Sequence, residues 1–217
     1  QQSPLQPWLM EVADPNTARI VGSEGYRLPE GRWCVVMTAA GKSSVVERHA
    51  RELPGFAERA GAAAFVVLNE TEKSSLLGRI REFAKHARES SPSATILRMS
   101  ILPTQMATLL ARARQIADRG QIPCAILVRA SGVVFVALLA PTKDEETLRR
   151  LASAAAELFQ ASDDCGGRAM IEWAPAELKR EVNVWGPPQL DLGLMRKLKK
   201  EFDPQNVLSP GRFVGGL

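Results

Sequence analysis

The sequence predicts an α+β fold in which an antiparallel sheet carries helices packed on one face, with a C-terminal helix and tail beyond it. Three observations carry this expectation. Strand-like and helix-like periodicities alternate in a fixed order between residues 94 and 173. Two apolar runs in that stretch are joined by Ala130-Ser131-Gly132, a short Gly-containing connection suited to a hairpin. The two amphipathic helical stripes there both need a common apolar surface to lie on.

Taken in order, residues 1–32 are rich in Pro and Gly without sustained periodicity and read as a linker, although Ala18 to Val21 has the character of a sheet-edge strand. Trp33 to Ala39 predicts a strand. Ser44-x-x-Glu47 after it has capping-box spacing and predicts a helix start, which Pro54-Gly55 should end because Pro lacks the N–H the next turn needs. Ala63 to Leu68 predicts a second buried strand. Leu76, Leu77, Ile80, Phe83, Ala84 and Ala87 keep the spacing of one helix face.

Ala94 to Ser100 then predicts a strand, and Met106, Leu109, Leu110, Ala113, Ile116 and Ala117 a helix stopping at Gly120. Cys124 to Arg129 and Val133 to Leu139 are the hairpin strands. Thr142-x-x-Glu145 is read as the cap of a helix bearing Leu148, Leu151, Ala152, Ala155, Leu158 and Phe159, and Arg168 to Trp173 closes the set as a strand. Strand, helix, strand, strand, helix, strand is the split βαβ of ferredoxin-like folds, and residues 33–90 read as an incomplete copy of the same unit.

Composition narrows the function classes. At 217 residues the chain can bury a sizeable core, and its longest apolar runs, Val133 to Ala140 and Ala60 to Leu68, fall well short of the roughly 20 residues that cross a bilayer. No transmembrane segment is expected. The opening Gln1-Gln2-Ser3-Pro4 carries neither an initiator Met nor a signal-peptide pattern and reads as a cut within a longer protein. Cys34, Cys124 and Cys165 form neither a close pair nor a CxxC knuckle, which fits a reducing cytoplasm. The pI near 9.2 admits an acidic partner, but acidic residues are interspersed among the basic ones and a solvated surface is the simpler reading.

Several motifs resolve to ordinary structure. Gly41-Lys42-Ser43 sits where a phosphate loop would, yet the Gly needed five residues earlier is Val36, so the backbone cannot wrap a phosphate. His49 and His86 stand alone on separate helices, and no metal site is expected. Cys165 lies beside Asp163 and Asp164, which should raise its thiol pKa rather than activate it. The strand pair that would stack RNA bases offers Phe135 alone, so no nucleic-acid partner is expected.

The C-terminal segment is more specific. Val184-Trp185-Gly186-Pro187-Pro188 leads to Asp191 at a helix start, then Leu190, Leu194, Leu198 and Phe202 recur every four residues with Arg196, Lys197, Lys199 and Lys200 around them. Asp203-Pro204 ends the helix. The tail from Ser209 to Gly216 is turn-rich and is expected to be poorly supported by the rest of the chain, since its glycines raise the entropy of ordering and few side chains can offset it.

Leu194-Met195-Arg196-Lys197-Leu198-Lys199, Phe202-Asp203-Pro204 and Leu208-Ser209-Pro210-Gly211-Arg212-Phe213 together resemble the closing pattern of FAD-linked oxidases of the vanillyl-alcohol oxidase type, in their C-terminal (cap) region. Val184-Trp185-Gly186-Pro187-Pro188 is most similar to the FAD-binding E-subunit branch of bacterial glycolate oxidase. Ile96-Leu97-Arg98-Met99-Ser100 and Leu102-Pro103 also resemble a family strand and helix start, so the resemblance runs from about Trp33 to the end. Two departures stand out: Ser209 replaces the usual Asn, and the HxGDGNxH cap motif of catalytic relatives has no counterpart in the sequence.

The resemblance implies FAD as the cofactor, held mostly by an N-terminal FAD-binding domain missing from this sequence, with Ser209, Pro210, Gly211 and Arg212 as the cofactor-binding residues of the tail. It implies hydride transfer from a small 2-hydroxy acid of the glycolate type to flavin, sister oxidase subunits as partners, and a cytoplasmic location peripheral to the inner membrane through them. The corresponding division is residues 1–32 as linker or junction remnant, 33–183 as ferredoxin-like cap domain, and 184–217 as C-terminal helix and docking tail. No residue is assigned to catalysis, and the chain alone is expected to be inactive and to carry no flavin. The other class of function compatible with the fold is a stand-alone binding or regulatory module.

Overall fold

A computed structural model describes residues 5–187 and 191–217. Its frame is one antiparallel sheet of six strands: β1 (Leu9–Ala13), β2 (Cys34–Thr38), β3 (Thr95–Ser100), β4 (Cys124–Arg129), β5 (Val133–Leu138) and β6 (Arg168–Trp173). Their spatial order is β2-β1-β4-β5-β3-β6. The β4–β5 hairpin forms through Ala130-Ser131-Gly132, where Gly132 takes φ 90° and a Cβ would collide with the Ile101 carbonyl.

The strands alternate between two apolar clusters. Leu97, Met99, Ile126, Val128, Val134 and Val136 point to one face and pack under α5 (Met106–Arg119) and α6 (Glu145–Asp164). These are the two helices expected to share a face. Ile96, Ala125, Leu127, Phe135 and Ala137 point to the other, under α1 (Pro15–Val21), α3 (Glu70–Arg81) and α4 (Phe83–Glu89). Helices therefore cover both faces of the sheet, where the sequence led us to expect one. Burial on both sides is why β4 and β5 read as continuous apolar runs, with no polar alternation to mark a wet face.

The α+β expectation and the split βαβ order of β3, α5, β4, β5, α6 and β6 both hold. The opening segment departs from its linker reading: β1 lies inside the sheet between β2 and β4, and Ala18 to Val21 belongs to α1 rather than to an edge strand. Pro15 is the reason, since at the first helical position its fixed φ starts a helix instead of breaking one. Asp14 caps α1 by accepting from Thr17 N at 2.8 Å, accepts from Ile126 N at 3.0 Å, and receives Arg114 at 3.2 Å, so one buried carboxylate ties α1, β4 and α5 together.

Three local expectations fail for physical reasons. Helix α2 (Ser43–Arg59) starts without the Ser44/Glu47 capping box and runs through Pro54, because Ala50, whose carbonyl loses its donor, is exposed and can use water. Ala63 to Leu68 forms no strand and pairs with none among the described residues; Val66 and Val67 are 59% and 71% exposed. The single helix expected across residues 76–87 breaks at Glu82 into α3 and α4, and α3 is opened by a capping box of Asn69 and Glu72. For α6, Asp144 rather than Thr142 is the cap, accepting from Thr147 N at 2.8 Å.

Beyond β6, α7 (Ala176–Glu181) packs Leu178 into the first cluster, and α8 (Leu192–Phe202) carries the C-terminal stripe. Leu190 and Pro188 lie outside the described residues.

Candidate functional site

The C-terminal helix leaves its expected apolar stripe unburied. Leu194, Leu198 and Phe202 are 61%, 49% and 80% exposed, while Leu192, on the other side of the helix, is buried. A helix face of this kind realises the free energy of its pattern only when something covers it.

Asp203 shapes the turn that leaves the helix. Its carboxylate accepts from Val207 N and Leu208 N at 2.9 Å each and from the Lys199 ammonium, and Lys199 also donates to the Leu208 carbonyl at 2.7 Å. Chiefly because of the Lys199 hydrogen bond, with the two backbone amides adding to it, the carboxyl pKa falls to about 2. The Asp-Pro sequence thus ends the helix and pins the first turn of the tail against it. Met195, Leu198, Phe202, Leu208, Phe213 and Leu217 then wall an open groove of about 650 Å³ between helix and tail.

Of the four expected cofactor-binding residues, Ser209 and Arg212 line this groove, and Pro210 and Gly211 form the turn between them. Ser209, Pro210, Gly211 and Arg212 are all exposed. Ser209 holds φ 49° directly before a Pro and Gly211 holds φ 72°, a tight reversal closed by Arg212 N donating to Ser209 O at 3.2 Å. The Arg212 side chain has no hydrogen bond or ion pair among the described residues. The tail is better supported than its composition implies: Phe213 meets Trp185 edge-on at 5.1 Å, and Gly215, at φ 66°, lies so close to Leu192 that a Cβ would come within 2.7 Å of it.

A second group of polar residues was missed in the sequence because only strand register assembles it. On the face carrying α1, α3 and α4, one row crosses the sheet as Val36, Glu11, Arg129, Val133, Ser100 and Arg168. The next row reads Cys34, Ala13, Leu127, Phe135, Arg98 and Met170. The helices stop short of this end: Arg98, Ser100 and Arg168 are exposed, whereas Ile96, one row inward from Arg98, is fully buried. Arg129 leans over the Phe135 ring at 5.1 Å, and Arg98 is the direct cross-strand neighbour of that Phe.

Glu11 is buried beside Arg129, with 3.7 Å between its Oε1 and the arginine Nε, too long for a hydrogen bond. Glu11 Oε2 and Arg129 Nε are both buried without a hydrogen-bond partner among the described residues. Burial pushes the Glu11 pKa up to about 6, against the opposing pull of Arg129. Arg168 is satisfied elsewhere by Asp191 at 3.5 Å, but Arg98 has no ion pair or hydrogen bond among the described residues.

The profile for the C-terminal domain of FAD-linked oxidases matches residues 1–213. The chain belongs to this family. The match includes the opening segment, as its place inside the sheet requires. Glycolate oxidase subunit GlcD from Bacillus subtilis (strain 168) is 23% identical over 212 residues, which is 95% of this chain and 45% of that protein. Among solved structures, 4-ethylphenol oxidase from Gulosibacter chungangensis in its isoeugenol complex superposes with a TM-score of 0.64 at 17% identity, over 96% of this chain and 47% of that one. p-Cresol methylhydroxylase with substrate bound gives 0.60 at 13% identity, over 94% and 46%. These two share the fold of the FAD-linked oxidase cap and are flavoenzymes of the vanillyl-alcohol oxidase type. The chain thus spans about half the length of the relatives it matches. Among the described residues no helix is long and apolar enough to cross a membrane.

Proposed function

We propose that this chain is the cap region of an FAD-dependent 2-hydroxy-acid oxidase or dehydrogenase subunit of the glycolate type, closing over a flavin held mostly by a preceding domain and inactive without it. The observation that carries the reading is the exposed C-terminal unit of a family member: an uncovered stripe of Leu194, Leu198 and Phe202, a groove behind it, and at its lip an Arg212 with no ion pair or hydrogen bond among the described residues. Those residues fit one edge of a flavin site. An exposed reversal carrying a free guanidinium suits contact with a phosphate or with the domain that binds it, but it cannot enclose a dinucleotide, so most of the cofactor surface lies with the preceding domain. Bound FAD would supply the hydride acceptor for the substrate α-carbon. This chain's residues would close the site against water, and Ser209 to Arg212 would orient the closure.

Within glycolate oxidase the sequence fits the E-type subunit, because it lacks the HxGDGNxH motif, and sister subunits would complete the enzyme and hold it at the cytoplasmic side of the inner membrane. The test is flavin retention by the intact gene product. It should purify with FAD, and Arg212→Ala should lose flavin on dialysis several-fold faster while the unfolding free energy stays within about 0.5 kcal/mol of wild type, as expected at an exposed position. An intact protein that neither retains FAD nor perturbs its visible spectrum would overturn the reading.

A further inference from the structure

We propose that two copies of this chain join by reciprocal exchange of an arm, α2 with residues 60–68, which from each copy seats on the β2 edge of the other.

The edge has two unmet requirements. β2 ends the sheet and pairs with β1 alone, so its outer row of N–H and C=O groups has no strand partner among the described residues. On the face that carries α5 and α6, Val35 and Met37 stand opposite Val12 and Met10, and Trp33 lies beside α5 under the Arg114 guanidinium at 5.1 Å. No described helix covers this corner, and Trp8, Met10, Trp33 and Val35 are left exposed. One helix, about 10 Å across, would cover two strands about 4.8 Å apart.

The arm carries the counterparts. α2 repeats Val45, Val46, His49, Leu53 and Phe56 along one side, yet of its 17 residues only His49 is buried and none belongs to either apolar cluster. Residues 63–68 have the composition of a strand and make no hydrogen bond among the described residues, while Phe65, Val66 and Val67 are exposed. A helix stripe without a sheet and a strand without a ladder, consecutive in sequence, match a sheet corner without a helix and an edge without a neighbour.

The occupant is a second copy because arm and seat belong to one sequence and the structure leaves them unpaired within one chain. The seat is the one a right-handed β–α–β crossover from β2 reaches, so the arm extends the sheet by ordinary rules whichever copy supplies it. The hinge between β2 and α2 is only residues 39–42, and short hinges invite exchange of an element between copies. Exchange about a two-fold axis covers edge and arm together. Their exposed apolar side chains amount to on the order of 800 Å² per copy, the share each partner brings to a standard interface.

Sedimentation velocity of the full chain over about a hundred-fold range of concentration tests this, and it should show monomer passing to dimer. Val66→Asp in the arm and Val35→Asp on the edge should each raise the dissociation constant at least 10-fold. Both positions are more than half exposed, so urea midpoints at monomeric concentrations should not move. Mixing the two variants should restore dimer to a level neither reaches alone, since one of the two seats then joins an intact arm to an intact edge. Contact of edge with edge or arm with arm gives no such recovery, and that result overturns the exchange. A dimer indifferent to either substitution, the mark of contact through α8, overturns it too, as does a chain that stays monomeric throughout, its arm free or closed on its own β2.

Discussion

Replacing Glu11 with Gln should change how stability depends on pH in a defined window. Burial raises the native pKa to about 6 from an ordinary value of 4.5. Between those two values the native state holds more protons than the unfolded chain, so the free energy of unfolding must fall as pH rises. The contribution is fully present below about 4.5 and lost above about 6. A difference of roughly 1.5 pK units corresponds to about 2 kcal/mol, an upper figure because Arg129 is half-exposed and solvent screens the pair. Gln keeps the shape and does not ionise. Urea unfolding of both proteins at half-unit steps from pH 4 to 7.5 should therefore give curves that separate, Glu11→Gln gaining about 1–2 kcal/mol on wild type across the window. Asp203, whose carboxyl is depressed to about 2, loses its contribution only as pH falls below the ordinary carboxylate range, outside this window. Parallel profiles within about 0.5 kcal/mol, the usual reach of a surface substitution, would show that Glu11 is solvated in the native state and would refute the burial on which the expectation rests.

Asp14→Ala should lower the unfolding free energy by about 3 kcal/mol in urea melts, since it removes the α1 cap, worth about 1 kcal/mol, and leaves the Ile126 N–H buried without an acceptor, for about 1–3 more. Phe202→Asp should leave the melting of this chain nearly unchanged, because that side chain is 80% exposed, yet it should speed flavin loss from the intact protein more than Arg212→Ala does, as read by absorbance after dialysis.

The sequence was most legible where local signals agreed with one another. From β3 to β6, a hairpin connection, two capped or Gly-stopped helices and two apolar stripes all specify one order of elements, and the structure keeps it. The helices' sides were harder to read: strands buried on both faces carry no polar alternation, and only packing reveals that α1, α3 and α4 take the second face. β1 escaped because it is five residues long and interrupted by Glu11, whose charge argues against burial until Arg129 is found beside it. Ala63 to Leu68 failed in the opposite sense, having strand composition but no ladder to join. The same split governs the functional residues. Ser209 to Arg212 are contiguous and carry a family resemblance, so a linear reading reaches them. Glu11 and Arg129 stand more than a hundred positions apart and become neighbours only through register.

The C-terminal helix and the polar end of the sheet differ in the kind of free energy they offer. Covering Leu194, Leu198 and Phe202 would remove three large apolar side chains from water, on the order of 5 kcal/mol before the entropy of association is subtracted. Such a term is indifferent to the identity of the substrate and suits a standing contact with another domain. Two guanidiniums and one buried carboxylate at the sheet end offer little apolar area but strict demands on the charge and hydrogen bonding of whatever meets them. The antiparallel sheet separates these roles because its covered end, with helices on both faces, already holds the core that stabilises the chain. The C-terminal helix is free to be sticky and the open sheet end free to be polar, without either weakening the fold that positions them.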